Sequence, residues 1–508
     1  MKIFDCQTIR EWDAYTINQE PIESVDLMER AVRALFDEIK KIFDNQTPLF
    51  YIFCGPGNNG GDGIALARML QTNGFEAKVI LPAKNTRLSH DATINLERWQ
   101  KLNGEVLYFE SFHKNEINDG SIFIDAIFGS GLNKPVVDGI FAEMIQFINN
   151  RPNMTISVDI PSGLFADRLN NKGDNIVKAN LTITFQVPKL SFFFYENYQY
   201  TGDVSVIDIQ LSLDFYRERT STYHWVTIHD VKNIFRPRKR DAHKYHYGHA
   251  LLIAGTDKTG AGLLAAKAVM RCGCGLLSCL MPKDKQNALF CHVPEAMAYD
   301  LKEFNDNSQF LNNKKIDALG IGPGLGLDEE KKLLLKNLIH QFKGPMVVDA
   351  DALTILSDNP TWIAFLPPGS VLTPHTGELK RLIGHFSDSM EMWQKSRDFA
   401  VRFHCYLVVK NFYSIIFTPN KEMYFITNGD AGMAKAGSGD VLTGIILSLL
   451  AQGYPPKDAA LLGSFMHAEC GRMAAADFSS TAMTPKDIIH TLPRFMTMLE
   501  NSHDLRIS

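Results

Sequence analysis

The chain has 508 residues, 45% of them hydrophobic and 21% charged, and a net charge of -5. That length accommodates two or three domains, and the ordinary balance of apolar and charged residues excludes long disorder. The weakly negative charge gives no sign of a nucleic-acid partner, and the basic run RPRKR from Arg236 to Arg240 reads as a solvated linker. The eight cysteines, at Cys6, Cys54, Cys272, Cys274, Cys279, Cys291, Cys405 and Cys470, fall mostly inside apolar runs, and their spacing matches no common zinc pattern. Reduced, buried thiols in a cytoplasmic protein are expected. The opening MKIFDCQTIREWDAYT lacks a basic patch followed by an apolar core, so no signal peptide is expected. No apolar segment has the length of a bilayer span, so no membrane partner is expected.

Taken in order, Ser24 is the expected N-cap of a helix running to about Phe43, with Leu27, Met28, Ala31, Leu35, Ile39 and Ile42 on one face. The apolar run Leu49–Cys54 reads as a buried strand that feeds GPGNNGGDG, Gly55 to Gly63, and then a helix through Ile64, Leu66, Ala67 and Leu70. Strand-like runs follow at Ala77–Leu81, Ile122–Ile127 and Thr155–Ile160, separated by helical stretches at Asp91–Leu102 and Ile140–Ile148. Such alternation implies a parallel sheet with helices on both faces.

Three loops fall at the carboxyl ends of these strands, where open parallel sheets place their ligands: Asn58–Asp62, Asp125–Leu132 and Asp159–Gly163. The first is neither GxGxxG nor a P-loop, but its glycines permit close backbone approach to a phosphate. Asn59, Asp125 and Ser162 offer hard oxygen ligands suited to an alkali cation, and no His or Cys cluster points to a transition metal. NNGGDG, DAIFGSGL and SVDIPSGL, in this order and spacing, resemble the epimerase domain of the NAD(P)H-hydrate repair enzymes. The resemblance implies a Rossmann-like three-layer α/β/α fold that interconverts the S and R epimers of hydrated NADH and NADPH. It implies that the hydrate contacts Asn58, Asn59, Gly60, Gly61 and Asp62, the loop Gly129, Ser130, Gly131, Leu132, Asn133, Lys134 and Pro135, and Asp159. Potassium would be held by Asn59, Asp125 and Ser162, and Asp125 and Asp159 are the ionisable candidates for proton transfer.

After Val204–Ile209 the alternation is lost, and the polar stretch from Leu213 to Tyr223 is the expected boundary. The pattern then resumes. Strand Ala250–Ala254 leads into Gly255–Ala261 and a helix through Leu263, Leu264, Ala268 and Val269. Strand ends follow at Gly322–Gly326, Asp349–Asp351, Thr373–Glu378 and Lys410. In NGDAGMAKAGSGDVLTG a glycine-rich loop turns into a helix with Leu442, Ile445, Ile446, Leu449 and Leu450 on its apolar face. Gly437, Ser438 and Gly439 sit where that helix begins, with unpaired N–H groups and the positive end of the macrodipole to receive a phosphate. Asp440 sets a carboxylate beside that anion site, where desolvation raises its pKa into the range of a usable base.

HKYHYGH, GIGPGLG, VVDADAL, LTPHTGEL and NGDAGMAKAGSGDVLTG resemble the ribokinase-like dehydratase domain of the same repair family. The two resemblances imply an α/β chain of two domains, a Rossmann-like epimerase over 1–213 and a ribokinase-like ADP- or ATP-dependent dehydratase over 223–505. The hydrate would lie against Ala261, Gly324, His375 and Asp440, and the nucleotide against Lys410, Asn411, Phe412, Tyr413, Ser414 and Gly439. Glu378 is the candidate partner of a magnesium ion on the nucleotide. Phosphate leaves where hydroxide does not, so phosphorylating the ring hydroxyl opens a route to dehydration. The family usually follows the nucleotide-loop lysine with glycine, whereas this chain has Asn411, Phe412 and Tyr413; its paired glycine after the first strand is Ala254-Gly255 here. Two other readings compete: a kinase for a small alcohol, which shares the Gly-Ser-Gly-Asp turn, and a first half that serves as a sensing or protein-binding module. Relatives assemble as homo-oligomers, and the same is expected here.

Overall fold

The computed structural model describes residues 1–44, 46–112, 117–301, 311 and 315–504, and the expected limit at 505 lies outside them. The chain divides into two compact units, Lys2–Ser221 and Thr222–Ser508 with Met1.

In the first unit, helices α1 (Cys6–Gln19) and α2 (Ser24–Ile42) precede strand β1 (Phe50–Cys54) and helix α3 (Asn58–Thr72). There follow β2 (Ala77–Leu81), α4 (His90–Lys101), β3 (Val106–Tyr108), β4 (Ile122–Ala126), α5 (Gly139–Asn149), β5 (Thr155–Val158), β6 (Leu181–Phe185) and β7 (Asp203–Ile207). Helix α2 buries Leu27, Met28, Ala31, Val32, Leu35, Phe36 and Ile39. It starts one residue earlier than expected, because Glu23 and Asp26 form a reciprocal capping box. Ser24 instead donates to Asp91 Oδ2 at 2.6 Å.

The sheet order is β3-β2-β1-β4-β5-β6-β7, all pairs parallel. The chain reverses its direction of travel between β1 and β4, so the crevice lies beyond their carboxyl ends. Pairing of Phe53 with Asp125 and Cys54 with Ala126 sets the loops after these two strands side by side. Two of the glycines after β1 make room for the protein's own backbone, while Gly57 faces open space. A Cβ on Gly55 would sit 1.8 Å from the Ile127 carbonyl oxygen, and one on Gly60 would sit 1.9 Å from that of Gly55. They pack strand end against helix start. The stretch expected to be a polar join opens instead with helix α6 (Leu213–Glu218), because Phe215 is buried and stacks on Trp12 with centroids 5.8 Å apart.

In the second unit the strands are β8 (Tyr223–Trp225), β9 (His249–Ile253), β10 (Leu276–Leu280), β11 (Met297–Tyr299), β12 (Ala318–Ile321), β13 (Met346–Val348), β14 (Val371–Leu372), β15 (Tyr406–Lys410), β16 (Ser414–Phe417) and β17 (Met423–Ile426). They lie in the order β8-β17-β16-β15-β14-β13-β12-β9-β10-β11, with only β16 antiparallel to its neighbours. The helices that matter for the site are α7 (Thr259–Arg271), α8 (Thr376–Ile383), α9 (Ser438–Ala451) and α10 (Pro456–Phe478). Every residue from Val441 to Ala451 is buried, so α9 is a core helix on all sides.

Gly444 lets α7 close on α9: a Cβ there would lie 2.3 Å from the Ala265 carbonyl oxygen and 2.7 Å from the Ala268 Cβ. Gly444→Ala is therefore expected to destabilise the second unit by about 1–3 kcal/mol through overpacking, or about 2–4 °C in thermal midpoint per kcal/mol. An unchanged melting curve would show that this crossing is looser than described.

Candidate active sites

The crevice of the first unit opens into a cavity of about 690 Å³. Helix α1 contributes Arg10 and Asp13, α2 contributes Ser24 and Met28, and the start of α3 contributes Asn58, Asn59 and Asp62. The loop after β4 adds Phe128, Gly129, Ser130, Gly131, Leu132 and Asn133, and Asp159 and Lys189 complete the polar lining. Of the residues expected to meet the hydrate, Asn58, Asn59, Asp62, Gly129 to Asn133 and Asp159 are thus brought together. Gly60 and Gly61 are buried in packing and, like Lys134 and Pro135, do not line the cavity.

The two acids expected to move protons sit in different surroundings. Asp125 is fully buried and does not line the cavity. Its Oδ2 accepts from Ser157 Oγ at 2.7 Å and the Ser162 N–H at 2.8 Å, and its Oδ1 accepts from Ser162 Oγ at 2.5 Å. Burial still lifts its carboxyl above the ordinary range, because every one of these partners is neutral. That placement removes Asp125 from direct contact with a substrate. Asn59, 8% exposed, has an Nδ2 without a hydrogen-bond partner. A buried carboxylate with only neutral neighbours and an adjoining hydroxyl suit a hard monovalent cation, whereas the Asn59 Nδ2 is a donor and fits an acceptor of a polar ligand instead.

Asp159 takes a left-handed backbone with φ 65°, unusual for a residue with a side chain. Its Oδ1 accepts from the buried Lys189 Nζ at 2.6 Å and from Thr184 Oγ1 at 3.2 Å. Two further acids share this cavity. Burial, then the charge of Asp159, pushes the Asp13 carboxyl up to about 7, with Lys189 opposing. Asp62 is pushed well above its usual value by burial and then by Asp159, Asp13 and Asp91. Asp13 and Lys189 were not anticipated from sequence: α1 carries no recognised motif, and Lys189 follows a strand that the alternation did not reveal.

In the second unit the acid- and glycine-bearing strand ends converge on the start of α9. Gly437 caps that helix with φ 98°. Asp349, at the end of β13 and 1% exposed, accepts from Lys410 Nζ at 2.7 Å and from Thr443 Oγ1 at 2.7 Å. A Cβ on Gly439 would lie 3.0 Å from Lys410 Nζ, so a side chain there would press on the lysine end of this ion pair. Asp440 stands beside it. Burial, followed by the charge of Asp349, pushes its carboxyl up to about 6, while Lys410 opposes.

The backbone of His375 pairs in parallel with that of Lys410, and its Nδ1 accepts from the N–H groups of Gly377 and Glu378 at 3.0 and 3.3 Å, capping α8. Glu378 returns the cap, with Oε2 accepting the His375 N–H at 2.9 Å, and burial raises its carboxyl. Ala261 and Gly324 are neighbours: a Cβ on Gly324 would lie 3.2 Å from that of Ala261. Asn411, Phe412 and Tyr413 form the turn between β15 and β16, closed by pairing of Lys410 with Ser414, and Phe412 is 45% exposed. The Ser438 side chain is buried rather than facing a ligand. His467 Nε2 lies 3.2 Å from its hydroxyl and 2.9 Å from its carbonyl oxygen, and burial lowers that imidazole to about 4.

Residues 250–494 match the family described as NAD(P)H-hydrate dehydratase, and residues 24–191 match the one described as YjeF-related protein N-terminus. A bifunctional NAD(P)H-hydrate repair enzyme of Moorella thermoacetica is 34% identical over 509 residues, spanning 96% of this chain and 95% of the relative. One from Escherichia coli is 30% identical over 487 residues, spanning 94% and 91%. An ADP/ATP-dependent NAD(P)H-hydrate dehydratase from Bacillus subtilis, co-crystallised with ATP and Mg²⁺, aligns at 26% identity and TM-score 0.48 over 54% of this chain and 98% of that one.

Removing the cation from a buried pair strands its carboxylate, at about 3–5 kcal/mol. Lys410→Met is expected to destabilise the second unit on that scale. Adding Asp349→Asn should recover most of the stability; a double variant no more stable than the single one would contradict the pairing.

Proposed function

The chain belongs to the bifunctional NAD(P)H-hydrate repair enzyme family, and from that membership we propose how its two sites divide the work. It is an NAD(P)H-hydrate epimerase and dehydratase, an isomerase and a lyase on one chain. The reading of the dehydratase site rests on one observation above all: Asp440, with a carboxyl near 6, stands at the glycine-flanked start of α9 beside the Lys410–Asp349 pair.

The hydrate lies against Ala261, Gly324, His375 and Asp440, and ADP or ATP against Lys410 to Ser414 and the backbone of Gly437, Ser438 and Gly439. Asp440 takes the proton of the ring hydroxyl at carbon six, and the oxygen attacks the terminal phosphorus of the nucleotide. The N–H groups at the helix start receive the transferred charge, acting through preorganised dipoles rather than through a basic side chain. The ring nitrogen then contributes its lone pair, the carbon–oxygen bond breaks, phosphate departs, and loss of a ring proton restores the dihydronicotinamide. Glu378 has Oε2 engaged in the cap and Oε1 3.4 Å from His375 Nε2, which fits contact with a magnesium ion through water. Bound magnesium would neutralise nucleotide phosphate charge.

In the first unit the hydrate occupies the crevice cavity, with Asp159 as a proton-transfer group. Potassium would be held by Asn59, Asp125 and Ser162, supplying the positive charge that the neutral partners of Asp125 lack. The free thiols support a reducing, cytoplasmic setting, and no helix among the described residues is long and apolar enough to cross a membrane. Assembly as a homo-oligomer is carried over from the family.

Purified protein with hydrated NADH, Mg²⁺ and ADP or ATP should regain dihydronicotinamide absorbance from both epimers; recovery of neither under any nucleotide would reject the reading. Asp440→Asn should lower dehydration by about 10²-fold or more, while nucleotide binding and epimerisation persist. Because the base acts only when deprotonated, the wild-type dehydration rate should rise with pH through about 6 and level off above it. A rate flat from pH 5 to 8 would remove Asp440 from that role.

A further inference from the structure

Epimerising carbon six through an open ring needs two protons handled at once. The hydroxyl at that carbon gives up its proton as the bond between carbon six and the ring nitrogen breaks. The bond's electron pair passes to the nitrogen, which takes up a proton, and the carbon becomes an aldehyde. Rotation about the adjacent carbon–carbon bond and re-addition of the nitrogen reverse both transfers on the other face. Atoms and electrons balance with no co-reactant, but the site must hold an acceptor and a donor together.

The three glycine-and-acid loops supply one such group cleanly. Asp159 lines the cavity and is held by Lys189 at 2.6 Å. Asp125 is sealed away from the cavity by its hydrogen bonds. The missing partner comes from outside those loops, on α1, which brings Asp13 to the same cavity wall set as Asp62, Asp159 and Lys189. Among the described residues the Asp13 carboxyl has no hydrogen-bonding partner, in contrast with Asp125, both of whose oxygens accept, and with Asp159, whose Oδ1 does. The buried Asn59 Nδ2 in the same lining also lacks a partner, which marks the cavity as built for a polar ligand.

We propose that Asp13 is the proton donor of the epimerase cavity, delivering its proton to the ring nitrogen while Asp159, ion-paired with Lys189, accepts that of the hydroxyl. This rests on reading the first unit as the epimerase. The charged groups facing Asp13 are Arg10 on its own helix, Asp62 on α3, and Asp159 and Lys189 from the loops beyond the strands. Burial and Asp159 keep Asp13 protonated up to about pH 7, so a donor is present at neutral pH.

The test uses the full chain, with epimerisation and dehydration measured separately. Asp13→Asn, which keeps the side chain's shape, should lower epimerase kcat by about 10²-fold with KM for the hydrate within about threefold. Asp13→Glu should restore at least tenfold of that loss. The falling limb of the wild-type epimerase profile near pH 7 should vanish in Asp13→Asn, and dehydration of the S epimer by the same variant should match wild type, showing a folded chain. Epimerisation by Asp13→Asn within threefold of wild type would overturn the proposal, as would a KM rise with kcat unchanged, which would make Asp13 an anchor. If Asp13→Asn fails to fold, Asp13→Glu with an unshifted pH limb overturns it equally. A wild-type chain that does not epimerise at all would sink the underlying reading instead.

Discussion

A carboxylate placed where water hardly reaches needs a counter-charge, and Asp349 finds it in Lys410 at 2.7 Å. That pair joins the ends of β13 and β15 and, through the Thr443 hydroxyl, the first turns of α9. It occupies the space that a side chain on Gly439 would need. The anion-receptive helix start, its glycine and the neighbouring base all adjoin this one electrostatic contact. Without it, the negative charge of Asp349 would oppose both a phosphate at the helix start and an ionised Asp440. With it, Asp440 is poised near 6, where a carboxylate is a stronger base than usual yet still largely deprotonated at neutral pH.

The first unit solves a related problem with the opposite balance. Four acids, Asp13, Asp62, Asp125 and Asp159, lie in or near one crevice, and Lys189 is the buried cation paired with one of them. Burial and mutual repulsion raise the carboxyls of Asp13 and Asp62, while burial alone raises that of Asp125. A cavity of that kind stores protons in a neutral-pH setting, which suits a reaction that moves protons without net change. The second unit instead keeps a base ionised beside a site for transferred phosphate. The two chemistries thus follow from how each sheet edge distributes buried charge rather than from different residue types.

Much of this was legible in the chain. The run of glycine- and acid-bearing loops at strand ends located both crevices, because parallel strands repeat apolar runs of similar length and the loops break them with recognisable chemistry. The helix that carries Asp440 is legible from its apolar period and glycine-rich start, whereas the role of the acid leans on the resemblance to the dehydratase domain. What escaped was tertiary. Nothing local distinguishes Asp13 from any acid on an exposed helix, since its meaning comes from α1 meeting β-sheet loops distant in sequence. Asp349 was visible as a strand-end acid, but its pairing with Lys410 joins residues that no short-range pattern connects. The glycines after β1 were read as room for a ligand, whereas Gly55 and Gly60 prove to be room for the protein's own backbone. Ser438 is likewise turned inward by His467, leaving only its backbone for the anion. The helix at Leu213–Glu218 forms in a polar stretch because Phe215 has an aromatic partner in Trp12.

In the mechanism at the start of α9, the ring oxygen is phosphorylated before it leaves. Hydrate carrying oxygen-18 in its carbon-six hydroxyl, dehydrated by the full chain with Mg²⁺ and nucleotide in unlabelled water, tests this directly by mass analysis of the released inorganic phosphate. Transfer at the α9 start predicts one oxygen-18 in each phosphate released. Label recovered in water, with phosphate unlabelled, would contradict it.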